Sequence, residues 1–203
     1  MALKSHWETI YREKDSTKVS WYKQHLQISL QMIERTSVGK SARVIDVGGG
    51  SATLVDDLLA NGYGDVTVLD ISGAAIQVVR ERLGSLAAQV TWLEADVTQV
   101  VLPQNRYDVW HDRAVFHFLT DSRDRRAYVN MVRQSVKAGG HVIVATFAPD
   151  GPEQCSGLNV MRYDADGLHG EFGDDFRLIE SSREDHLTPF GTQQKFIYCY
   201  CRK

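Results

Sequence analysis

The sequence predicts an α/β fold: a doubly wound, seven-stranded sheet, mostly parallel, with an antiparallel C-terminal hairpin. Three observations predict it. Short apolar runs rich in β-branched residues alternate with segments of helical periodicity. One such run, Val44-Ile45-Asp46-Val47, leads straight into Gly48-Gly49-Gly50 and a helical pattern. Near the C-terminus the alternation stops, and two strand-like segments follow with only a loop between them.

The elements follow in order. Residues 1–40 read as a helical cover that precedes the first strand. Residues 41–147 form the core, with strands over 43–47, 66–69, 90–93, 107–110 and 141–147, all short, as central parallel strands should be. Between them, Leu54, Val55, Leu58 and Leu59 mark one helical face, Ile76, Val79 and Leu83 a second, and Val129, Val132 and Val136 a third. Asp121 or Ser122 caps the third helix. Residues 148–172, with Pro149, Gly151, Pro152, Gly157 and Gly167, read as a second cover. Both covers are expected over the carboxyl ends of the strands, where ligands bind in such sheets. Residues 173–203 supply the hairpin, from strands over 176–182 and 194–201 around Thr188-Pro189-Phe190-Gly191. No repeat or linker divides the chain, so one domain is expected.

Composition narrows the partners. A chain of 203 residues is long enough to bury roughly 70% of its unfolded surface. A net charge of −3 offers no basic footprint, so no nucleic-acid partner is expected. No run approaches the ~18 apolar residues of a membrane span, and the N-terminus lacks a signal-peptide pattern, so no membrane partner and a cytoplasmic setting are expected. Cys199 and Cys201, two apart in a strand, stand ~6.6 Å apart at the limit of disulfide geometry, and reduced, partly buried thiols are expected. No Cys/His spacing marks a metal site.

The glycine turn is the centre of the functional reading. A dinucleotide fingerprint requires a third glycine where this chain has Thr53. Asp46, Gly48, Gly50 and Ala52 instead resemble the Asp-x-Gly-x-Gly-x-small signature of the class I S-adenosylmethionine-dependent methyltransferases. The resemblance runs from about Ala42 to the C-terminus. It implies that Gly48, Gly49 and Gly50 pass beside the amino-acid end of S-adenosyl-L-methionine and that Asp46 helps to hold its ammonium. It implies that Asp70, ending "VTVLDIS", accepts both ribose hydroxyls, a task that suits a two-oxygen carboxylate. Ile71 lies beside it, and Asp96 and Val97 in "LEADV" are implied near the adenine.

The acceptor side is expected after the fourth strand, in "WHDRAVFHFL". His111, Asp112, Arg113 and His117 are candidates for a base, an orienting carboxylate and an anion-binding group. Alternatively, Asp112 and Arg113 pair structurally and His117 packs in its helix. The segment lacks the Asn/Asp-Pro-Pro-aromatic pattern of base-methylating relatives, and it is similar to the thiopurine and small-thiol branch. Tyr11 and Trp21, with Trp7 and Tyr22, read either as a packing stripe or as an aromatic wall that attracts a sulfonium. Cys155 is a candidate for the roof of the acceptor pocket, and Arg162 and Tyr163 for binding an acidic acceptor. The expectation is a methyltransferase acting on a small-molecule acceptor. The alternatives are a protein-lysine methyltransferase, a nicotinamide-dependent dehydrogenase and a non-catalytic cofactor-binding protein.

Overall fold

The computed structural model describes residues 2–203. Two helices come first, α1 (Ala2–Glu13) and α2 (Gln27–Arg35). The core follows as β1 (Arg43–Val47), α3 (Leu54–Ala60), β2 (Asp65–Asp70), α4 (Gly73–Leu83), β3 (Val90–Glu94), β4 (Tyr107–Arg113), α5 (Ser122–Ser135) and β5 (Val136–Phe147). A small hairpin, β6 (Gln154–Cys155) with β7 (Leu158–Asn159), leads to α6 (Ala165–Phe172). The chain closes with β8 (Arg177–Leu187) and β9 (Gln193–Arg202). Seven strands lie in the order β3-β2-β1-β4-β5-β9-β8. The first five are parallel, and β9 inserts antiparallel between β5 and β8.

Strand alternation sends each strand's side chains to two apolar layers. On one face Ile45, Trp110, Val144 and Cys199 pack with Val129 and Val132 of α5 and with Leu168 and Phe172 of α6. On the other, Val44, Val68, Val109 and Tyr198 pack with Ile33 of α2, Leu54 and Leu58 of α3 and Val79 of α4. All three cysteines are free and buried, and Cys199 and Cys201 share one layer.

Several assignments differ from the sequence reading. Val136 opens β5 instead of ending α5, because Gly139 takes φ +75° and lets the chain turn back into the sheet. Helix α6 is not a cover: its apolar face belongs to the layer beneath α5, so only the β6–β7 hairpin of residues 148–172 reaches the cleft. Helix α2 likewise lies on the sheet's flank, which leaves residues 2–26 as the N-terminal cover. Asp121, not Ser122, is the α5 N-cap, accepting from the Arg123 amide. Among the described residues, no helix is long and apolar enough to cross a membrane.

Candidate active site

The sheet's order reverses between β1 and β4, and the glycine turn sits at that switch point, where a crevice opens. Each glycine is there for its own reason. Gly48 has φ +71° and donates to the Leu69 carbonyl at 2.7 Å, and a Cβ there would stand 2.0 Å from Val115 Cγ2. A Cβ on Gly49 would stand 2.4 Å from Asp46 Oδ2. One on Gly50 would lie 2.5 Å from both Asp70 Oδ2 and Ala75 Cβ. Gly50 is therefore required by a carboxylate and by α4 behind it. Gly48 alone of the three lines the main cleft.

Two chambers adjoin the turn and share Trp21, Val47, Gly48 and Arg113. The larger is a cleft open to solvent, with about 790 Å³ of space between its walls and the bulk. Asp70, Ile71, Asp96 and Val97 line it from the β2 and β3 ends, and Trp7, Tyr11 and Trp21 line it from the N-terminal cover. Asp70 accepts from the Ser72 amide at 2.8 Å and the Gly50 amide at 3.0 Å. Burial pushes its carboxyl up to about 6, with Asp46 and Glu8 adding repulsion against those two hydrogen bonds. Asp96 accepts from the amide and hydroxyl of Thr98, at 2.9 and 2.7 Å.

The smaller chamber, about 490 Å³, is lined by Asp46 and His111 on one side and by Ser51, Thr53, Tyr22 and Lys23 around it. His111 Nδ1 lies 2.7 Å from Asp46 Oδ1. The other edge of each group, His111 Nε2 and Asp46 Oδ2, is buried without a protein partner. Buried polar atoms are ordinarily paired, so these two mark a place for a ligand's hydrogen-bond donors. A cleft with unpartnered polar atoms at one end and two carboxylates at the other fits S-adenosylmethionine, whose ammonium lies at one end and whose ribose and adenine lie toward the other. When bound, that cofactor supplies a methyl already activated on a sulfonium.

The candidates after β4 separate. β4 extends to Arg113, so His111 and Arg113 face the crevice while Asp112 points to the opposite layer. There Asp112 accepts from Tyr128 Oη at 2.6 Å and from the amides of Val115 and Phe116 at 2.8 and 3.0 Å. It anchors the turn that follows and is not paired with Arg113, which corrects both readings of that residue. His117 is fully buried between the rings of Phe118 and Phe147, and it lines neither chamber. Burial, with Arg113 nearby, pushes its imidazole down to about 3, so it is neutral. It packs, and the structure gives it no contact with a ligand space.

Arg113 lines both chambers. Its guanidinium lies 4.2 Å above the Phe196 ring and donates to Tyr198 Oη at 3.0 Å and Glu184 Oε2 at 3.3 Å. The next residue, Ala114, has φ +74°, a conformation uncommon outside glycine and concentrated at functional sites.

The N-terminal cover is fastened at both ends. Lys4 pairs with Glu94 at 2.5 Å, and Glu8 accepts from the Ala74 amide at 3.4 Å. Trp7 and Tyr11 stack at 5.9 Å, and Trp21 and Phe118 meet Trp7 edge-on at 5.7 and 5.2 Å. At the far end Lys23 pairs with Glu184 at 2.5 Å, His186 Nε2 donates to the Ser20 carbonyl at 2.8 Å, and Thr53 Oγ1 donates to the Lys23 carbonyl at 2.9 Å. The sequence reading missed Lys23, Glu184 and His186; the one signal for the last two is alternation in β8, where both fall on inward positions. Thr53, which stood out only for not being glycine, holds the cover.

Cys155 lines the main cleft, buried, with its thiol pushed up to about 12 by desolvation. Arg162 and Tyr163 do not reach it. Arg162 staples its own loop through the Pro149 and Gly151 carbonyls and Glu153, and Tyr163 packs on Phe116. Among the described residues, no group of His, Cys, Asp and Glu is placed to hold a metal.

Comparison with known proteins agrees with this geometry. A profile described as a methyltransferase domain matches residues 44–140. The mouse (Mus musculus) eEF1A lysine and N-terminal methyltransferase is 27% identical over 120 residues, 59% of this chain. This chain spans only 17% of that protein's length. A solved structure concerned with conversion of a disulfide bond into a thioacetal group during echinomycin biosynthesis has a TM-score of 0.81 at 16% identity, over 99% of this chain and 93% of that one. The Burkholderia thailandensis 1,6-didemethyltoxoflavin-N1-methyltransferase, solved with S-adenosylhomocysteine, has a TM-score of 0.72 at 17% identity, over 99% and 87%. Residues 44–140 are thus similar to a methyltransferase domain, and the chain shares the fold of solved S-adenosylmethionine-dependent methyltransferases.

Proposed function

We propose that the chain methylates a small-molecule nucleophile held in the main cleft between Arg113, Phe118 and Cys155. The observation that carries this reading is the roof. Trp7, Tyr11 and Trp21 close on Phe118 and are fastened at Glu94 and Glu184, so an acceptor enters an aromatic-walled chamber instead of lying along an open groove. In this reading Asp70 takes the ribose, Asp96, Ile71 and Val97 border the adenine, and Tyr11 and Trp21 face the sulfonium, where aromatic faces attract a cation.

The chemistry asked of the protein is positioning and exclusion of water, since the methyl leaves a neutral sulfide. No strong base borders the acceptor space: the Cys155 thiol holds its proton, and His117 lies outside the cleft. An acceptor that gives up its own proton readily, such as a thiol, suits such a site. Of the two structural relatives named above, one concerns echinomycin biosynthesis and the other was solved with bound 1,6-didemethyltoxoflavin, a small molecule, which supports the reading.

Methylation of a protein lysine is the second reading, and the named sequence relative favours it. One experiment separates the two. The chain is incubated with methyl-labelled S-adenosylmethionine and, in parallel, with a panel of alkyl and aryl thiols, phenols and amines, or with eEF1A. Label in a small molecule well above background is expected. Label in eEF1A, with none in the panel, would replace this proposal with the second reading.

A further inference from the structure

We propose that His186 is a proton-operated latch on the N-terminal cover, holding it closed while the ring is neutral and releasing it when Nδ1 gains a proton. His186 lines neither chamber, so it acts through the cover as a positioning residue. The inference is independent of which acceptor is used.

The geometry fixes the ring's state. His186 is buried at an inward position of β8, with Nε2 2.8 Å from the Ser20 carbonyl. A carbonyl only accepts, so Nε2 carries the hydrogen, and in the neutral ring Nδ1 is a bare acceptor. Nδ1 is buried without a partner. Gln194, the register partner on β9, also has its Oε1 buried without a partner, so the two atoms are not bonded to each other. The Phe196 ring, edge-on at 6.1 Å, offers no acceptor oxygen. A hydrogen added at Nδ1 therefore meets no acceptor while the cover is closed, and a buried donor left unpaired is costly.

The surrounding charges oppose that proton as well. Burial comes first, and Arg113 of β4 and Lys23 of the cover add to it, against the Ser20 hydrogen bond and Glu184 on the same strand. Together they hold the imidazole below its usual 6.5. Glu184 is already shared by Lys23 and Arg113, which leaves it little to offer a third cation. Once the cover lifts, the ring meets water and titrates normally. Closure is thus fully supported above 6.5 and loses support as pH falls from there. Ser20 adjoins Trp21, which lines both chambers, so release at this point uncovers the cleft. His25, another imidazole at this end of the cover, is exposed and pairs with Asp57 at 2.7 Å, and the test must separate the two.

Hydrogen exchange on the cofactor-free chain tests this, read as protection factors so that the intrinsic pH dependence of exchange cancels. From about pH 7.5 to 5.5, protection of residues 14–25 in the wild type should fall about tenfold, the factor imposed by an imidazole that titrates only in the released state. Protection of β1 and β4 should stay constant, which separates a local release from unfolding. His186→Gln places an amide N–H near the position of Nε2 and does not titrate. It should hold the cover at the higher pH and keep it held at the lower one. His186→Phe, which cannot bond Ser20, should leave the cover weakly protected at both, and it covers the case in which the glutamine variant does not fold. The proposal is overturned if wild-type protection is the same at both pH values, or if β1 and β4 lose protection with the cover. It is also overturned if either folded variant keeps the wild-type fall, which would assign the response to His25 or another group, or if His186→Phe protects the cover as the wild type does.

Discussion

Asp70 carries the sharpest test at the scale of one residue. In the proposed binding mode its replacement by alanine removes two charge-assisted hydrogen bonds to a vicinal diol, so affinity for S-adenosylhomocysteine should fall about thirty- to hundredfold, or ~2–3 kcal/mol. Calorimetry on the folded variant measures it. Its raised pKa of about 6 gives a second test. The anion is the form that accepts from hydroxyls, so affinity should drop as pH falls through 6, about tenfold by pH 5, and Asp70→Asn should flatten that profile. Gly50→Ala should destabilise the fold as well as the site, because its Cβ meets Asp70 and Ala75 even with no ligand bound. Thermal melting of the cofactor-free variant checks this. Asp70 and Asp96 were legible in the sequence because strand ends are marked by where an apolar run stops. Asp112 was not, because β4 runs three residues past its apolar stretch. That extension converts a supposed loop, where neighbours cluster, into a strand, where they part.

Among the elements, the N-terminal cover depends on a buried cluster of two cations and one acid. Glu184 serves Lys23 on one oxygen and Arg113 with Tyr198 on the other. Burial pushes its carboxyl up, but Arg113, Lys23 and Tyr198 outweigh that and hold it at about 2. A lowered pKa places its stabilising contribution above the ordinary value of 4.5, and the contribution is lost as pH falls from there through about 2. Glu184→Ala should cost ~3–5 kcal/mol in urea unfolding, since it leaves the Arg113 charge buried with only neutral partners. Lys23→Met should cost less, because Arg113 keeps Glu184 and Lys23 is a third exposed. Both variants should speed amide exchange over residues 14–25, and bound S-adenosylhomocysteine should slow it, since closure is driven by contacts made with the ligand. Equal exchange with and without ligand would reduce Tyr11 and Trp21 to packing residues. The cover's aromatics were visible in the sequence at their helical spacing; its fastening to β8 was not, since Glu184 and His186 stand more than 160 residues from Lys23 and Ser20.

For the molecule as a whole, the parallel core and the inverted hairpin were legible because each strand is a separate apolar run and each turn is marked by glycine, proline or a cap. What escaped was the layer to which each helix belongs. The loop-like composition of 148–172 concealed α6, whose Leu168 and Phe172 are only two apolar anchors in a short helix. Removing residues 1–25 should leave the sheet intact by circular dichroism, since neither apolar layer draws on them apart from Trp21, yet should abolish most turnover by uncovering the cleft. Full turnover in that variant would exclude the cover from the site. The cover also imposes an order on the protein's birth. Lys23 leaves the ribosome 161 residues before Glu184, and at 5–20 residues per second that is roughly 8 to 32 seconds of synthesis. Well before that interval ends, the glycine turn, Asp70 and Asp96 have been made, but the aromatic segment has no seat on β8. The nascent chain can therefore meet its cofactor before it can enclose it, and the enclosed site comes into being only with the last hairpin.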